Sequence, residues 1–138
     1  MSTKPTAIAV YHGELRTECT HLQSGNTLVT DAPCDNRGRG EAFSPTDLLA
    51  TALGSCILTI MGITARDHGI DLAGTRVEIT KIMASEPRRV DEVVMRFHFP
   101  KERGYSAEQR RLIESVAGTS PVPLSVHPNV RQTIEFAW

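Results

Sequence analysis

Ser44-Pro45-Thr46-Asp47, followed by LLATALGSCILTIMGITARDHG over residues 48–69, is the stretch that decides how the rest of the chain must fold. Ser44 can cap a helix, Pro45 suits its first position, and Asp47 completes an S-x-x-D box while complementing the helix dipole. Gly69 supplies a left-handed stop, so the spacing predicts a helix as far as His68, about 24 residues or ~36 Å long. Residues 48–65 carry no charge, and these 18 residues reach the length at which a membrane span must be considered. Four hydroxyls (Thr51, Ser55, Thr59, Thr64) and two glycines (Gly54, Gly62) dilute the twelve apolar residues, and the rest of the chain reads as soluble strands. A core helix and no membrane is therefore the expectation. A helix apolar on every side must be buried on every side. One chain of 138 residues has few elements to surround it, and Ala50, Ala52, Gly54 and Ser55 let another backbone approach closely. Oligomerisation, most simply a symmetric homodimer, follows as a physical expectation.

Upstream, residues 7–11 form an apolar run broken by His12-Gly13, and residues 15–20 and 28–30 read as further strands around the turn Ser24-Gly25-Asn26. Together they predict an N-terminal β-meander. Residues 31–41, DAPCDNRGRGE, follow neither a two-residue nor a 3.6-residue period and read as a loop. Downstream, Val77, Ile79 and Ile82 suggest a strand, and Met95, Phe97 and Phe99 alternate with Arg96 and His98 in a second, joined to the first by a turn at Glu86-Pro87-Arg88-Arg89. Ser106 and Gln109 form another capping box, opening a short amphipathic helix with Leu112, Ile113 and Val116 that ends at Gly118. Pro121 and Pro123 predict an extended loop, and Val130, Gln132, Ile134, Phe136 and Trp138 fall on one side of a final strand. Strands, long helix, strand pair, short helix and last strand, without a linker or repeat, indicate a single α+β domain over residues 1–138.

The charge is nearly balanced, 15 Lys plus Arg against 16 Asp plus Glu, so no positive field gathers phosphates and nucleic-acid binding is not expected. Three cysteines at spacings of 15 and 22 match neither a disulfide framework nor a CxxC metal site. A reducing cytoplasm suits them. The N-terminal residues MSTKPTAIAVYHGEL lack an apolar run behind a basic start, so no secretory signal is expected and the mature chain is read as starting near Met1. The five histidines are scattered without HExxH or CxxH pairing, and no metal is expected. Arg37-Gly38-Arg39-Gly40 has no surrounding strand-loop-helix unit and reads as a solvated turn rather than a phosphate nest.

Cys56 lies mid-helix with Leu49, Ala52, Leu53, Ile60 and Ile63 at −7, −4, −3, +4 and +7. Spacing alone allows it to be a small core hydrophobe. It also allows a reactive thiolate, provided a cation or donor reaches it, and Arg16, Arg37 and Arg39 are the available cations outside the helix. Nothing around Cys19 or Cys34 marks a nucleophile.

The segment GEAFSPTDLLATALGSCILTIMGITARDHGIDL (residues 40–72), with its cap, its uncharged helix and a cysteine eleven residues after the proline, resembles the OsmC/Ohr family of thiol-dependent hydroperoxide reductases. The order of elements along the chain is similar to that family throughout. The resemblance implies an intertwined α+β homodimer with two long helices at its centre and active sites at the subunit interface. It implies that Cys56 is the peroxidatic cysteine, attacking an organic hydroperoxide to leave an alcohol and a sulfenic acid, without metal or organic cofactor. The apolar helix face, with Leu49, Leu53 and Ile60, would line the substrate together with Ser120. An arginine of the meander or of the following loop, Arg16 or Arg39, would hold the thiolate.

Two positions depart from the family pattern. The stretch after the short helix reads Thr119-Ser120-Pro121-Val122, so Ser120 stands where the family often carries a second, resolving cysteine. The acidic residue that follows the helix-start proline falls on Thr46, with Asp47 one position later and about 100° around the helix, where it serves the site or acts as a cap alone. Three outcomes follow: a one-cysteine peroxidase reduced by an external thiol, resolution by Cys19 or Cys34, or a noncatalytic dimeric module that keeps the pocket for an apolar small molecule.

Overall fold

Short runs separated by residues with positive φ build an antiparallel meander at the N-terminal end of the computed structural model, which describes residues 4–138. The reading of the chain's start at Met1 therefore lies outside the described residues. The chain divides after Leu48 into two compact units.

In the first unit the strands β1 (Ala7–Gly13), β2 (Arg16–His21) and β3 (Thr27–Asp31) pair in the order β1-β2-β3. The β1–β2 hairpin turns on Glu14 and Leu15, whose φ angles of 55° and 61° give the turn whose twist matches the flanking strands. The register sets Arg16 opposite Asp31 and Cys19 between Ala9 and Leu28. Beyond β3 the chain makes one 3-10 turn, Cys34–Asn36, and folds back so that the Asp31 amide donates to the Phe43 carbonyl at 3.0 Å. Gly38 is required there: a Cβ would sit 1.7 Å from the Ala32 carbonyl oxygen.

The helix α1 (Pro45–Asp67) begins in this unit and runs into the second. Its start is a reciprocal cap, with the Asp47 amide donating to Ser44 Oγ at 3.1 Å and the Ser44 amide donating to the Asp47 carboxylate at 2.9 Å. Gly69, at φ 67°, follows its end. By length and hydropathy α1 could cross a membrane. Its stripe Ala50, Leu53, Gly54, Ile57, Met61 and Ala65 is instead buried at core-helix spacing. The chain covers this one side, while Leu49 and Ile63 on other sides stay 38% and 54% exposed.

The second unit adds β4 (Arg76–Ser85), β5 (Arg88–His98), α2 (Ala107–Ser115), α3 (Pro121–Ser125) and β6 (Arg131–Ala137). Its sheet runs β4-β5-β6, antiparallel then parallel. Val93, Met95 and Phe97 of β5 and Ile113 of α2 join the α1 stripe in one core. Near Ile82 the β4–β5 register shifts, and Ile82 remains 40% exposed instead of following Val77 and Ile79 inward. The reciprocal box at Ser106 and Gln109 opens α2. This helix stops at Ser115, and a 3-10 turn over Ala117–Thr119 carries the chain past Gly118. The extended loop expected at residues 119–123 is corrected to the one-turn helix α3: Pro121 takes its first position and Pro123 its third, where the amides have no intrahelical acceptor to lose. The architecture is α+β, with two three-stranded sheets and few helices.

Candidate functional site

Cys56 sits one residue before Ile57 of the buried stripe, which turns it about 100° away from the core, and its side chain is half-buried. It is a free thiol and not a core residue. Along its side of α1 lie Leu49, Ala52 and Ile63, all exposed, and the half-buried Ile60. The result is an accessible thiol on an apolar helix face. Leu53, three residues before Cys56, belongs wholly to the core, at 0% exposure. Ser120 is likewise fully buried, and its hydroxyl donates to the Ala117 carbonyl at 3.2 Å.

The two candidate arginines differ sharply. Arg39 lies on the exposed loop, its carbonyl accepting from the Cys34 thiol at 3.5 Å. Arg16 is built into the sheet: its Nε donates to Asp31 Oδ1 and its Nη2 to Asp31 Oδ2, both at 2.7 Å, and Nη2 also reaches Glu41 Oε1 at 3.0 Å. The Asp31 side chain is fully buried and accepts a third bond from the Glu41 amide at 3.2 Å. These bonds hold the Asp31 carboxyl below its ordinary range, Arg16 foremost, against the opposing effect of burial. Hydrogen bonding to Asp31 likewise raises the affinity of Arg16 for its proton, so the pair is fully charged at neutral pH.

Asp47 is engaged as the helix cap through Ser44, and Thr46 Oγ1 lies 3.2 Å from Ser44 Oγ. Cys19 is half-buried in β2 and Cys34 exposed, both free thiols. Among the described residues no three His, Cys, Asp or Glu side chains are grouped to hold a metal. A cavity of about 400 Å³ lies toward the far end of α1, lined by Leu58, Gly62, Arg66 and Leu72 among others, and Cys56 is not part of its wall. Sequence reading missed Asp31 and Glu41 as the partners of Arg16. The available signal was Asp31 at the last position of a strand facing Arg16, visible only once the register is known.

A family model described as OsmC-like protein matches residues 38–135. Comparison with curated proteins returns no match. Among solved structures, a protein of Psychrobacter arcticus with a suggested role in osmotic stress and detoxification responses is 48% identical over 99% of this chain and 98% of its own, with a TM-score of 0.92. An organic hydroperoxide resistance protein OsmC of Legionella pneumophila is 19% identical over 99% of this chain and 100% of its own, at a TM-score of 0.72. An OsmC-like protein of Mycoplasma pneumoniae is 17% identical over 99% and 98%, at 0.76. The last two share the fold.

Proposed function

Because the chain belongs to the OsmC-like family, we propose that it is a thiol-dependent peroxidase that reduces organic hydroperoxides at Cys56. The observation that carries this reading is the position of Cys56, half-buried on the side of α1 turned away from the core and flanked by Leu49, Ile60 and Ile63. A structural thiol would lie in the core stripe. This one is open to a reagent, beside apolar surface suited to an alkyl or aryl hydroperoxide. The hydroperoxide-resistance name of the Legionella relative supports the same substrate class.

The thiolate attacks the terminal peroxide oxygen. A sulfur–oxygen bond forms, the oxygen–oxygen bond breaks, and the departing alkoxide takes a proton to leave as the alcohol, with the sulfur oxidised to sulfenic acid. A cation stabilises the thiolate, Arg16 or Arg39 being the candidates. Ser120, buried and bonded to Ala117, has no thiol to offer, so resolution falls to an external thiol. One thiol displaces water from the sulfenic acid to give a mixed disulfide, and a second releases Cys56. The protein works as a cytoplasmic homodimer, the partner covering the face of α1 that one chain leaves open.

Mixing reduced protein with cumene hydroperoxide and a sulfenic-acid trap is expected to label Cys56, and Cys56→Ser to abolish turnover. Absence of a Cys56 adduct in folded protein would overturn the peroxidase and favour the noncatalytic small-molecule module.

A further inference from the structure

The turn that ends α1 leaves a cavity that the thiol chemistry does not use. Gly69 and Ile70 close the helix in the Schellman pattern, the Ile70 amide donating to the Ala65 carbonyl at 2.8 Å and the Gly69 amide to the Arg66 carbonyl at 3.4 Å. The chain then folds back over residues 71–75, and the space left against α1 is the cavity of about 400 Å³. At about 100° per residue, Leu58 and Ala65 fall on the opposite side of α1 from Cys56. We propose that this cavity binds a small aliphatic carboxylate, a medium-chain fatty acid, whose charged end meets Arg66. The inference stands apart from the peroxidase reading.

The wall is aliphatic. Ala65 and Ile70 are buried, Leu58 and Leu72 are half-buried, and among the described residues no aromatic ring lines the space. A Cβ built on Gly62 would meet no atom within 4 Å, so α1 turns bare backbone toward open room there. A mostly apolar cavity with one placed polar group is the usual form of a small-molecule site.

The polar groups of the folded-back segment are already engaged. Thr75 donates its amide and its hydroxyl to the Leu72 carbonyl, at 3.0 and 2.7 Å. Asp71, the one carboxylate of the wall, is neutralised by Arg103 Nη1 at 2.7 Å and accepts the Ala73 amide at 2.9 Å. Arg103 Nη2 donates to the Ala73 carbonyl at 3.1 Å and the Tyr105 hydroxyl to the Asp71 carbonyl at 2.6 Å, which holds the segment in place. Arg66 differs. Among the described residues its side chain makes no hydrogen bond or ion pair, so all five donors of its planar fork are available. The helix-end carbonyls beside it are satisfied by the Schellman closure, leaving the guanidinium as the unmatched charge of the wall. A carboxylate matches the fork in a bidentate manner, and an alkyl chain behind it covers the aliphatic side. A bare inorganic anion would leave that side wet, and an uncharged hydrocarbon would leave the fork unmatched.

Titration of the isotope-labelled, reduced full-length chain with sodium octanoate, followed amide by amide in NMR correlation spectra, tests this. Saturable shifts are expected at residues 62–66 and 70–75 and not around Cys56. Octanol keeps the apolar body and acetate the charge, and each is expected to bind at least about 3-fold more weakly than octanoate, the scale of one exposed charged contact. Arg66→Ala is expected to reduce octanoate affinity about 3- to 10-fold, to the level of octanol, and to leave octanol binding unchanged. Gly62→Leu, whose side chain projects into the open room, is expected to abolish binding of both. Shifts centred on Cys56, equal affinities for octanoate and octanol in the wild type, or an Arg66→Ala protein that keeps wild-type octanoate affinity would each overturn the proposal. So would the absence of any saturable shift, the result expected if a second copy of the chain fills this space.

Discussion

Gly54 of α1 and Ile79 of β4 meet so closely that a Cβ on the glycine would lie 2.7 Å from Ile79 Cδ1. Two turns further along, nothing lies within 4 Å of the corresponding point on Gly62. Both glycines weaken the helix intrinsically, but only one is needed for packing. Gly62→Ala is expected to stabilise the chain by about 1 kcal/mol through helix propensity. Gly54→Val is expected to destabilise it by about 1–3 kcal/mol through overpacking. Urea titrations check both. A Gly62→Ala protein that loses stability would show that the proposed dimer partner seats directly against Gly62, too closely for a methyl group.

The Arg16–Asp31 pair sets a pH dependence whose sign is fixed by chemistry. Asp31 ionises more readily in the folded chain than in the unfolded one. Its contribution is therefore fully present above the unfolded carboxyl value of about 4 and is lost as pH falls through the lower native value. The stability difference between wild type and Asp31→Asn is expected to be constant from about pH 5 to neutrality and to shrink below about pH 4, read from urea midpoints.

At the β1–β2 turn, Leu15 holds a φ of 61°. A β-branched side chain tolerates that region poorly, so Leu15→Val is expected to lower stability by about 1–3 kcal/mol. Leu15→Gly relieves the backbone but gives the unfolded chain more freedom, and its effect is expected within about 1 kcal/mol of neutral. Thermal melts of the two variants distinguish turn strain from loss of the leucine side chain, which both share.

Ser44 and Ser106 both cap their helices reciprocally, but Ser44 is buried and Ser106 exposed. Each Ser→Ala change is expected to cost about 0.5–2 kcal/mol, with Ser44→Ala the larger because the orphaned amide has less access to water. Denaturant midpoints with unchanged slopes check the pair.

Local chemistry was the most legible part of the chain. Both capping boxes and the Gly69 stop follow from neighbours within four residues, and the uncharged run of α1 marked the helix that carries Cys56. The β1–β2 turn was not readable, because Glu14 and Leu15 are not residues that favour positive φ and only the surrounding sheet imposes it. The prolines at 121 and 123 were misread as extended, since a first helical turn tolerates the missing amides that a helix interior would not. Asp31 lies fifteen residues from Arg16, and no local pattern joins them until the β2–β3 register does.

The parallel pairing of β6 with β5 has a kinetic consequence. The intervening chain, with α2 and α3, must return the length of the sheet before Glu92 can meet Arg131 and His98 can meet Ala137. Such non-local closure is slow compared with helix formation and hairpin zippering. Trp138, the single tryptophan, stacks on Phe99 with ring centroids 3.6 Å apart, just beyond the last of these pairs. Its fluorescence will therefore time the docking of the final strand, trailing the helical circular-dichroism signal during refolding.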